Sequence, residues 1–555
     1  MDLKTTAQGQ LEKLKAIQQK AEEDKAKKLA EELKLPYLNL HITPINPDIL
    51  AMVPKEKAVA AKLGVFQKKD QTLLIATFNP TEPLAQEIMT SLTEKKFKLD
   101  IFIVTLSGLK NLVWPHYRKE IIIEAKELGE IEISAETIKN LKAGLTDLSK
   151  TREKFKELKK ENTTQVIELI LAASLANKAS DLHFQPEKLA VRLRFRIDGA
   201  LEDIFELTPE TYHQIKNRFK LVSGLSINII DIPQDGRFTI KLDEVEIEVR
   251  VSILPSGTGE GIVMRVLDPS AISVPLEKTG LTDLNYKIAL AEISRPNGII
   301  LLTGPTGSGK TTTLYAFLNK LNTPDVKIIT VEDPVEYKLQ GISQTQIEAE
   351  KGLTFGAALR SILRQDPNII LVGEMRDQET SETALQAALT GHLVFSTLHT
   401  NDAAGAIPRL IDLGIKGSTI APALNLIIAQ RLIRKICLVC RETIAPTAAE
   451  LEKLSQELKN INQDILASYP KIDQDLKIYQ AKGCNQCNHG FKGRLGIHEL
   501  LRNTDEIKNA ILTAPNQFEI KKIAIKEGML TLKQDGYLKV LQGITTLSEI
   551  EDETG

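Results

Sequence analysis

A glycine-rich run at residues 304–311 carries the strongest chemical signal in the sequence. It reads Gly-Pro-Thr-Gly-Ser-Gly-Lys-Thr and fits the pattern G-x-x-x-x-G-K-[ST]. An apolar run at 299–303 predicts a strand before it, and residues 312–321 predict a helix after it. Backbone N–H groups of such a loop surround phosphate oxygens, and the helix N-terminus adds positive partial charge. This strand–loop–helix context favours a phosphate-binding loop over a chance match in a glycine-rich turn.

Within this loop, Lys310 is expected to reach the β- and γ-phosphates of a nucleotide, and Thr311 to hold Mg²⁺. The predicted nucleotide-binding residues are Gly304, Pro305, Thr306, Gly307, Ser308, Gly309, Lys310, Thr311 and Thr312.

Glu374 is the first candidate for the carboxylate that activates the attacking water. It follows the apolar run 368–372, which is similar to a Walker B strand except that Gly373 stands where an Asp usually ends the strand. Acidic residues at the carboxyl ends of strands line the ligand crevice of doubly wound sheets. The alternative is a surface glutamate at a strand end.

Two further polar groups are expected at the same sheet edge. Glu332 and Glu336 follow the predicted strand 326–331 and are the next candidates to position Mg²⁺ or water. His399 ends the predicted strand between two histidines, where it would contact or sense the γ-phosphate. The alternatives are an Asp-Pro turn for the two glutamates and a histidine packed in a strand or turn.

All four cysteines of the chain lie in two C-x-x-C pairs: Cys437 with Cys440, and Cys484 with Cys487. In a reducing compartment this pattern predicts a tetrahedral Cys₄ zinc site. Such a zinc ion would stabilise a small subdomain and would have no free coordination position for catalysis. Residues 441–483 separate the pairs, a longer gap than usual, and contain a helical insert. The alternatives are redox C-x-x-C motifs or unrelated buried thiols.

The length of 555 residues predicts three or four domains to position these groups. A net charge of -2 argues against a dedicated nucleic-acid binder, and four cysteines exclude a disulfide scaffold. No run approaches the ~20 apolar residues of a membrane span, and the N-terminus has no apolar signal region. We therefore expect a cytoplasmic protein without direct membrane insertion.

Pattern changes along the chain predict α+β blocks, followed by alternating strands and helices from about residue 282 that imply a mostly parallel sheet. The predicted segments are a charged tail or helix (1–28), an N-terminal α+β domain (29–117), a charged linker with helical pieces (118–163), a second α+β domain (164–267), a linker (268–281), a P-loop core (282–436), a Cys₄ subdomain (437–490) and a C-terminal helical region (491–555).

Residues 164–555 resemble the type II/type IV secretion ATPases. The segments similar to that family's Walker A, Asp box, Walker B and His box occur in the expected order: GPTGSGKTTTLYAFL, ITVEDPVEY, LRQDPNIILVGEM and GHLVFSTLHTNDA. The resemblance implies a multidomain α/β and α+β protein with a RecA-like core, preceded by a small PAS-like domain. It also implies a homohexameric motor that hydrolyses ATP at the inner face of the cytoplasmic membrane.

In the family, two arginines of the second domain reach a neighbouring subunit's nucleotide, and the resemblance places them at Arg250 and Arg265. From the residues alone, surface ion pairs are the alternative for both. The Cys₄ insertion and the N-terminal block resemble the assembly or secretion branch, whose N-terminal domain docks an inner-membrane platform protein. No tandem RLG motif stands near the N-terminus, so the sequence does not support cyclic di-GMP binding.

The sequence thus predicts a motor for type IV pilus assembly, with type II secretion as the alternative. A DNA-uptake or conjugative motor, a nucleotide-gated adaptor that scarcely hydrolyses ATP, and a small-molecule kinase are weaker alternatives. Glu374 is present, which argues against an adaptor that scarcely hydrolyses ATP. A small-molecule kinase would need neither the two N-terminal α+β domains nor the Cys₄ zinc site.

Overall fold

The chain divides into two compact units, residues 1–126 and 127–555. The computed structural model describes residues 20–40, 43, 47–50, 52–69, 72–94, 97–114, 129–133, 148–157, 163–242, 245–268, 274–348, 352–513 and 516–555. The predicted charged tail or helix at 1–28 therefore lies largely outside the described residues.

The first unit is a small three-stranded sheet covered by helices. Its strands are β1 (Leu63–Lys69), β2 (Thr72–Thr77) and β3 (Lys98–Ile103), with β1 antiparallel and β3 parallel to β2. Helices run through 20–33, Pro47–Leu50, Lys55–Ala60, Pro83–Glu94 and Leu106–Gly108, the last continuing as a π-helical turn over Leu109–Val113. Strand β2 is buried along nearly its whole length, so the sheet forms the core of this unit.

The second unit begins with a seven-stranded sheet in the order β4-β8-β9-β10-β5-β6-β7. Its strands are β4 (Glu130–Glu132), β5 (Asp181–Pro186), β6 (Val191–Ile197), β7 (Ala200–Leu207), β8 (Gln234–Leu242), β9 (Val245–Ser256) and β10 (Gly259–Leu267). Apolar residues of β6 are buried and its arginines are only half-buried, which is the alternation expected of a sheet with one covered face. Helices Leu148–Glu157, Thr163–Ala176 and Pro209–Val222 complete this part.

The region expected to be a linker, 118–163, contributes to this second sheet. Strand β4 pairs with β8, and Ile133 and Phe155 are buried in the same core as the sheet. The dense charge of this segment hides these few apolar anchors, which explains why its composition suggested a linker.

The third sheet has the order β13-β12-β14-β15-β11-β16-β19 and is parallel except for its last pair. Its strands are β11 (Gly298–Thr303), β12 (Ile328–Glu332), β13 (Ser343–Gln346), β14 (Ile369–Val372), β15 (Leu393–Leu398), β16 (Leu424–Ile436) and β19 (Phe491–Arg502). Helices and turns around it are Leu276–Lys278, Asp283–Ile293, Lys310–Leu321, Phe355–Ile362, Leu363–Gln365, Gln378–Leu389, Ala406–Asp412 and Gly417–Ala423. Two separate apolar clusters cover its faces, as a doubly wound sheet requires.

The cysteine-containing segment folds as a lobe with a small hairpin, β17 (Arg441–Ile444) and β18 (Ile478–Ala481), and helices Ala448–Leu458 and Gln463–Leu466. The region 491–555 was expected to be helical but opens with the long strand β19, antiparallel to β16. Helices Asp505–Leu512, Gln517–Lys526, Leu532–Leu541 and Leu547–Thr554 follow. The apolar run 497–501 of β19 is buried against β16, so tertiary pairing decides its conformation.

Candidate active site

The glycine-rich loop joins the fully buried strand β11 to the helix Lys310–Leu321. Gly304, Gly307 and Gly309 have φ angles of 148°, 80° and 87°, a region that L side chains rarely adopt. A Cβ at Gly304 would lie 2.5 Å from the backbone oxygen of Gln430, and one at Gly309 would lie 2.8 Å from its side-chain nitrogen. These glycines are therefore required by conformation and by contact with β16.

Gln430 fixes the loop from the neighbouring strand and was not identified as a site residue from the sequence. Its Nε2 donates to the Ser308 carbonyl (2.9 Å), and its Oε1 accepts from the Thr313 hydroxyl (2.8 Å). Gln430 is 2% exposed, so both hydrogen bonds are shielded from water. The only sequence signal was the AQRL segment in which it stands, which shows no spacing characteristic of phosphate binding.

Lys310 lies in the first turn of the helix, and its Nζ donates to the carbonyls of Gly304 (2.8 Å) and Pro305 (3.0 Å). Burial, together with the nearby Arg431, lowers the pKa of Lys310 to about 8, while Glu374 acts in the opposite direction. In the part of the chain that the structure describes, the ammonium has no close anionic partner, and a bound phosphate would supply one. Thr311 and Thr312 follow in the same helical turn.

Glu374 and His399 meet at the adjoining edge of the sheet. The Nε2 of His399 lies 3.6 Å from one carboxylate oxygen of Glu374, and Arg376 Nη2 lies 2.5 Å from the other. The Glu374 side chain is 12% exposed, whereas His399 is half exposed. The structure therefore brings Lys310, Glu374 and His399 to one edge, because their strands β11, β14 and β15 are neighbours in the sheet.

Threonine hydroxyls connect the ends of these strands. The Thr303 hydroxyl and the Thr400 backbone form hydrogen bonds of 2.9 Å in both directions. The Thr397 hydroxyl donates to the carbonyl of Gly373 (2.8 Å). These hydrogen bonds fix the loop after His399 to strand β11, which leads directly into the phosphate loop. A displacement of His399 would therefore act on the end of β11.

Glu332 is part of a buried polar network. Its carboxylate accepts from the hydroxyls of Tyr315 and Thr330 and from Gln344 Nε2, and burial raises its pKa. No direct contact joins it to Glu374 or Lys310 among the described residues. Gly373 packs on this strand end, where an added Cβ would lie 3.3 Å from the Glu332 Cα. That close approach favours Gly at the position where the Walker B pattern usually has Asp.

Glu336 pairs with an arginine of the second domain. Arg250 Nη1 lies 3.0 Å from Glu336 Oε2, and Arg250 Nη2 donates to the Val335 carbonyl (2.9 Å). Within one chain, Arg250 is thus held against the Asp box. Arg265 pairs instead with Asp181 at 3.1 Å and is about half exposed. Within a single chain, both arginines therefore form ion pairs, which is the alternative to a contact with a neighbouring nucleotide.

The two arginines belong to a row that the sequence pattern did not reveal. Strand register places Arg237, Arg250, Arg265, Asp181 and Arg196 side by side on consecutive strands β8, β9, β10, β5 and β6. The line holds four cations and one anion, and Glu248 and Glu336 beside it pair with Arg250. Residues far apart in sequence meet here, so only the strand order exposes the row.

The four cysteines form one cluster. Their sulfur atoms all lie within 4.8 Å of one another, and the separations of the hydrogen-bonded pairs are 3.6–4.0 Å. A Zn–S distance of ~2.3 Å in a tetrahedron requires sulfurs ~3.8 Å apart. None of the four is in a disulfide. The donor set and its spacing therefore fit zinc.

The phosphate loop at 304–311 also fits a nucleoside triphosphate. Backbone geometry turns the loop inward. Among the described residues, Lys310 has no anionic partner within hydrogen-bonding distance, and the buried hydroxyl of Ser308 has no hydrogen-bond partner. Thr311 supplies the hydroxyl that would hold Mg²⁺. A parallel sheet with this loop after β11 and an acidic residue after β14 defines a RecA-like P-loop ATPase.

This chain belongs to the type II/IV secretion system protein family, which matches residues 156–552. It is 34% identical to the type IV pilus assembly ATPase PilB of Myxococcus xanthus, over 95% of this chain and 90% of that protein. It is 36% identical to PilB of Acinetobacter baylyi, over 96% and 93%. The type II secretion system protein E of Aeromonas hydrophila is 41% identical over 70% of this chain and 74% of its own length. The chain is therefore an ATPase homologous to both groups.

A solved structure, the ATPase DotB of Yersinia pseudotuberculosis, has the same fold with a TM-score of 0.50 and 22% identity, covering 71% of this chain and 94% of that one. The MshEN domain matches residues 33–121, within the first unit. Among the described residues, no helix has the length and apolar character to cross a membrane.

Proposed function

We propose that the chain is a cytoplasmic, homohexameric motor that hydrolyses ATP to drive type IV pilus assembly through an inner-membrane platform protein. One observation favours pili over type II secretion. The alignments with the pilus assembly ATPases of Myxococcus xanthus and Acinetobacter baylyi run through 95% and 96% of this chain, whereas PilB of Pseudomonas aeruginosa aligns over 75% and the type II protein over 70%. The two longest of these alignments, both with pilus relatives, therefore extend into the N-terminal unit.

The chemistry follows from the grouping of side chains at one sheet edge. Mg²⁺, held by Thr311, would neutralise charge on the β- and γ-phosphates of ATP, next to Lys310. Glu374 stands where a carboxylate can accept a proton from an attacking water. His399, 3.6 Å from Glu374, would sense whether the γ-phosphate is present. Thr303 and Thr400 would carry that change to the loops on either side.

Arg250 and Arg265 are proposed to act on the nucleotide of the next subunit. Arg250 and Glu336 are each about a quarter exposed, whereas Arg265 is about half exposed and its partner Asp181 is buried. A phosphate of the next subunit would have to replace these carboxylate partners. A cation supplied in trans stabilises transition-state charge and makes hydrolysis depend on the subunit interface. Glu332 and Glu336 are then better described as positioning residues for the Asp box than as the base.

The domain assignments extend this proposal. Residues 29–117 would dock the platform protein, 164–267 would supply the trans arginines, 282–436 would bind ATP, and 437–490 would hold structural zinc. The zinc lobe lies against the C-terminal helices, since Leu454 and Leu458 are buried in their core. No RLG motif stands near the N-terminus. Cyclic di-GMP binding by the residues that match the MshEN domain, 33–121, is therefore not part of this proposal, and calorimetric titration of the full chain with this dinucleotide tests it.

Gene deletion in the organism of origin tests the proposal. We expect loss of surface pili with unchanged secretion of folded exoproteins, and restoration by the wild-type chain but not by Glu374→Gln. Glu506→Gln, an exposed glutamate in a C-terminal helix, is the matched control and should restore pili. Unchanged piliation with lost secretion would instead establish the type II function. Loss of DNA uptake alone, with DNA-stimulated ATPase activity, would favour the DNA motor.

A further inference from the structure

A carboxylate in the loop after β15 joins the proposed γ-phosphate sensor to a C-terminal helix. Asp402 follows His399 by three residues. Its Oδ2 accepts a hydrogen bond from Lys521 Nζ (2.9 Å), and its Oδ1 accepts one from Gln517 Nε2 (2.8 Å). Both donors stand on the helix Gln517–Lys526, four residues apart and so on one face. The carboxylate therefore holds this helix by two successive turns.

The contact is largely shielded from water and charge-assisted. The side chain of Asp402 is 14% exposed and that of Lys521 is 34% exposed. The backbone N–H of Gly405 donates a third hydrogen bond to the carboxylate (2.9 Å). Burial alone would raise the pKa of Asp402, but the Lys521 ammonium and the Gly405 N–H outweigh burial and lower the pKa. The carboxylate is thus ionised, and hydrogen bonds to ionised groups are the stronger ones.

The same loop is held to the sheet on its other side. The Thr400 hydroxyl donates to the carbonyl of Asp402 (2.9 Å), and Thr400 is itself bonded to Thr303 at the end of β11. The buried carboxylate of Glu499, which is 1% exposed on β19, accepts from the backbone N–H of Ala403 (2.9 Å). Consecutive residues of a short segment are thus hydrogen-bonded. A displacement at the end of β15 therefore reaches Asp402 through a segment with little freedom to absorb it.

The helix Gln517–Lys526 packs by one face and is otherwise free to follow the loop. Ile520 and Ala524 are buried, whereas Phe518 is 82% exposed. Lys526 makes an ion pair with Glu506 at 3.9 Å, and both of these side chains are exposed. A long ion pair between exposed groups is worth little. In the described part of the chain, the strong polar attachment of this helix is therefore the one to Asp402.

We propose that Asp402 is a positioning residue for ATP hydrolysis, which couples the position of His399 to the helix Gln517–Lys526 through Lys521 and Gln517. The inference rests on the proposed function, since it takes His399 as the group that senses the γ-phosphate. It adds a defined route by which loss of that phosphate changes the position of a helix that does not touch the nucleotide. The same route makes the helix part of what holds His399 in place during hydrolysis.

Amide hydrogen exchange of residues 517–526 in the full chain tests the route. We compare the Mg·ADP complex with the complex of Mg²⁺ and β,γ-imido-ATP, which is not hydrolysed. In the wild type, exchange of this helix should differ at least about fivefold between the two nucleotides. Lys521→Gln should remove the difference. Lys526→Gln is the matched control, because it makes the same change at an exposed position of the same helix, and it should keep the difference.

Steady-state kinetics provide a second readout. Lys521→Gln and Asp402→Asn should each lower kcat about tenfold and leave KM for ATP within about twofold, because Lys310 and the phosphate loop are untouched. The double variant should be no slower than either single variant, since both remove the same contact. A residue with only a structural role would lower the melting temperature but leave kcat per folded chain and the exchange difference as in the wild type.

A wild-type chain that hydrolyses ATP but exchanges residues 517–526 equally with both nucleotides would overturn the inference without any variant. A folded Lys521→Gln chain that keeps both its kcat and the exchange difference would also overturn it. In either case hydrolysis by the wild type would persist and leave the proposed function intact. A wild-type chain that neither binds nor hydrolyses ATP would instead refute the proposed function.

Discussion

Raising the pH above 8 should weaken nucleotide binding through Lys310. Burial lowers the pKa of this lysine to about 8 in the nucleotide-free loop, and a phosphate beside it would raise the pKa again. A group whose pKa rises on binding contributes affinity that is complete below its free pKa and lost above it. Between pH 7.5 and 9.0, a free pKa of about 8 gives roughly an eightfold weaker affinity. Solvent around the partly buried ammonium screens the interaction, so eightfold is the upper limit of the loss.

Calorimetric titration of the full chain with Mg·ADP checks this prediction, since ADP is not consumed. Runs in two buffers with different ionisation enthalpies should also detect proton uptake at pH 8.5. Lys310→Arg is the control, because its guanidinium stays charged over this range and should give a nearly flat profile. An affinity of the wild type that is constant to pH 9.0, or binding without proton uptake, would refute the electrostatic account of the loop.

Three further outcomes are expected. Gln430→Leu leaves two buried polar groups unpaired at about 1–3 kcal/mol each, so thermal unfolding should show about 2–6 kcal/mol of destabilisation. The exposed Gln340→Leu should show none. Metal analysis should give one zinc per chain, and Cys440→Ser should lose it and lower the melting temperature by several degrees; a metal-free wild type of full stability would contradict the site. Mixing Arg250→Ala with Glu374→Gln subunits, each inactive alone, should restore part of the ATPase activity, whereas an arginine acting only within its own chain would give no restoration.

The phosphate loop, its strand and its helix could be predicted from the sequence because their signal is local. Gly304–Thr311 lies between an apolar run and a helical pattern, and each of these depends only on neighbouring residues. The cysteine cluster could also be predicted from the sequence, because its four cysteines lie in two C-x-x-C pairs. Glu374 and His399 required one further step, the rule that carboxyl ends of parallel strands share an edge.

What the sequence could not provide depends on contacts between distant segments. Gln430 acts through a hydrogen bond to Ser308, more than a hundred residues away, and nothing in its neighbourhood indicates this. Strand β19 was expected to be helical because its polar ends obscure the apolar run that pairs with β16. The same reason applies to Phe155, a single buried anchor within a charged segment.

Steady-state ATP hydrolysis by the purified full chain, measured for wild type beside Glu374→Gln, tests the central claim most directly. We expect Mg²⁺-dependent turnover in the wild type and a loss of at least about a hundredfold in the variant, because the carboxylate that accepts the proton from water is gone. Nucleotide affinity should remain within a few-fold, since Glu374 does not form the phosphate loop. Equal turnover in the two proteins would contradict the assignment of the site.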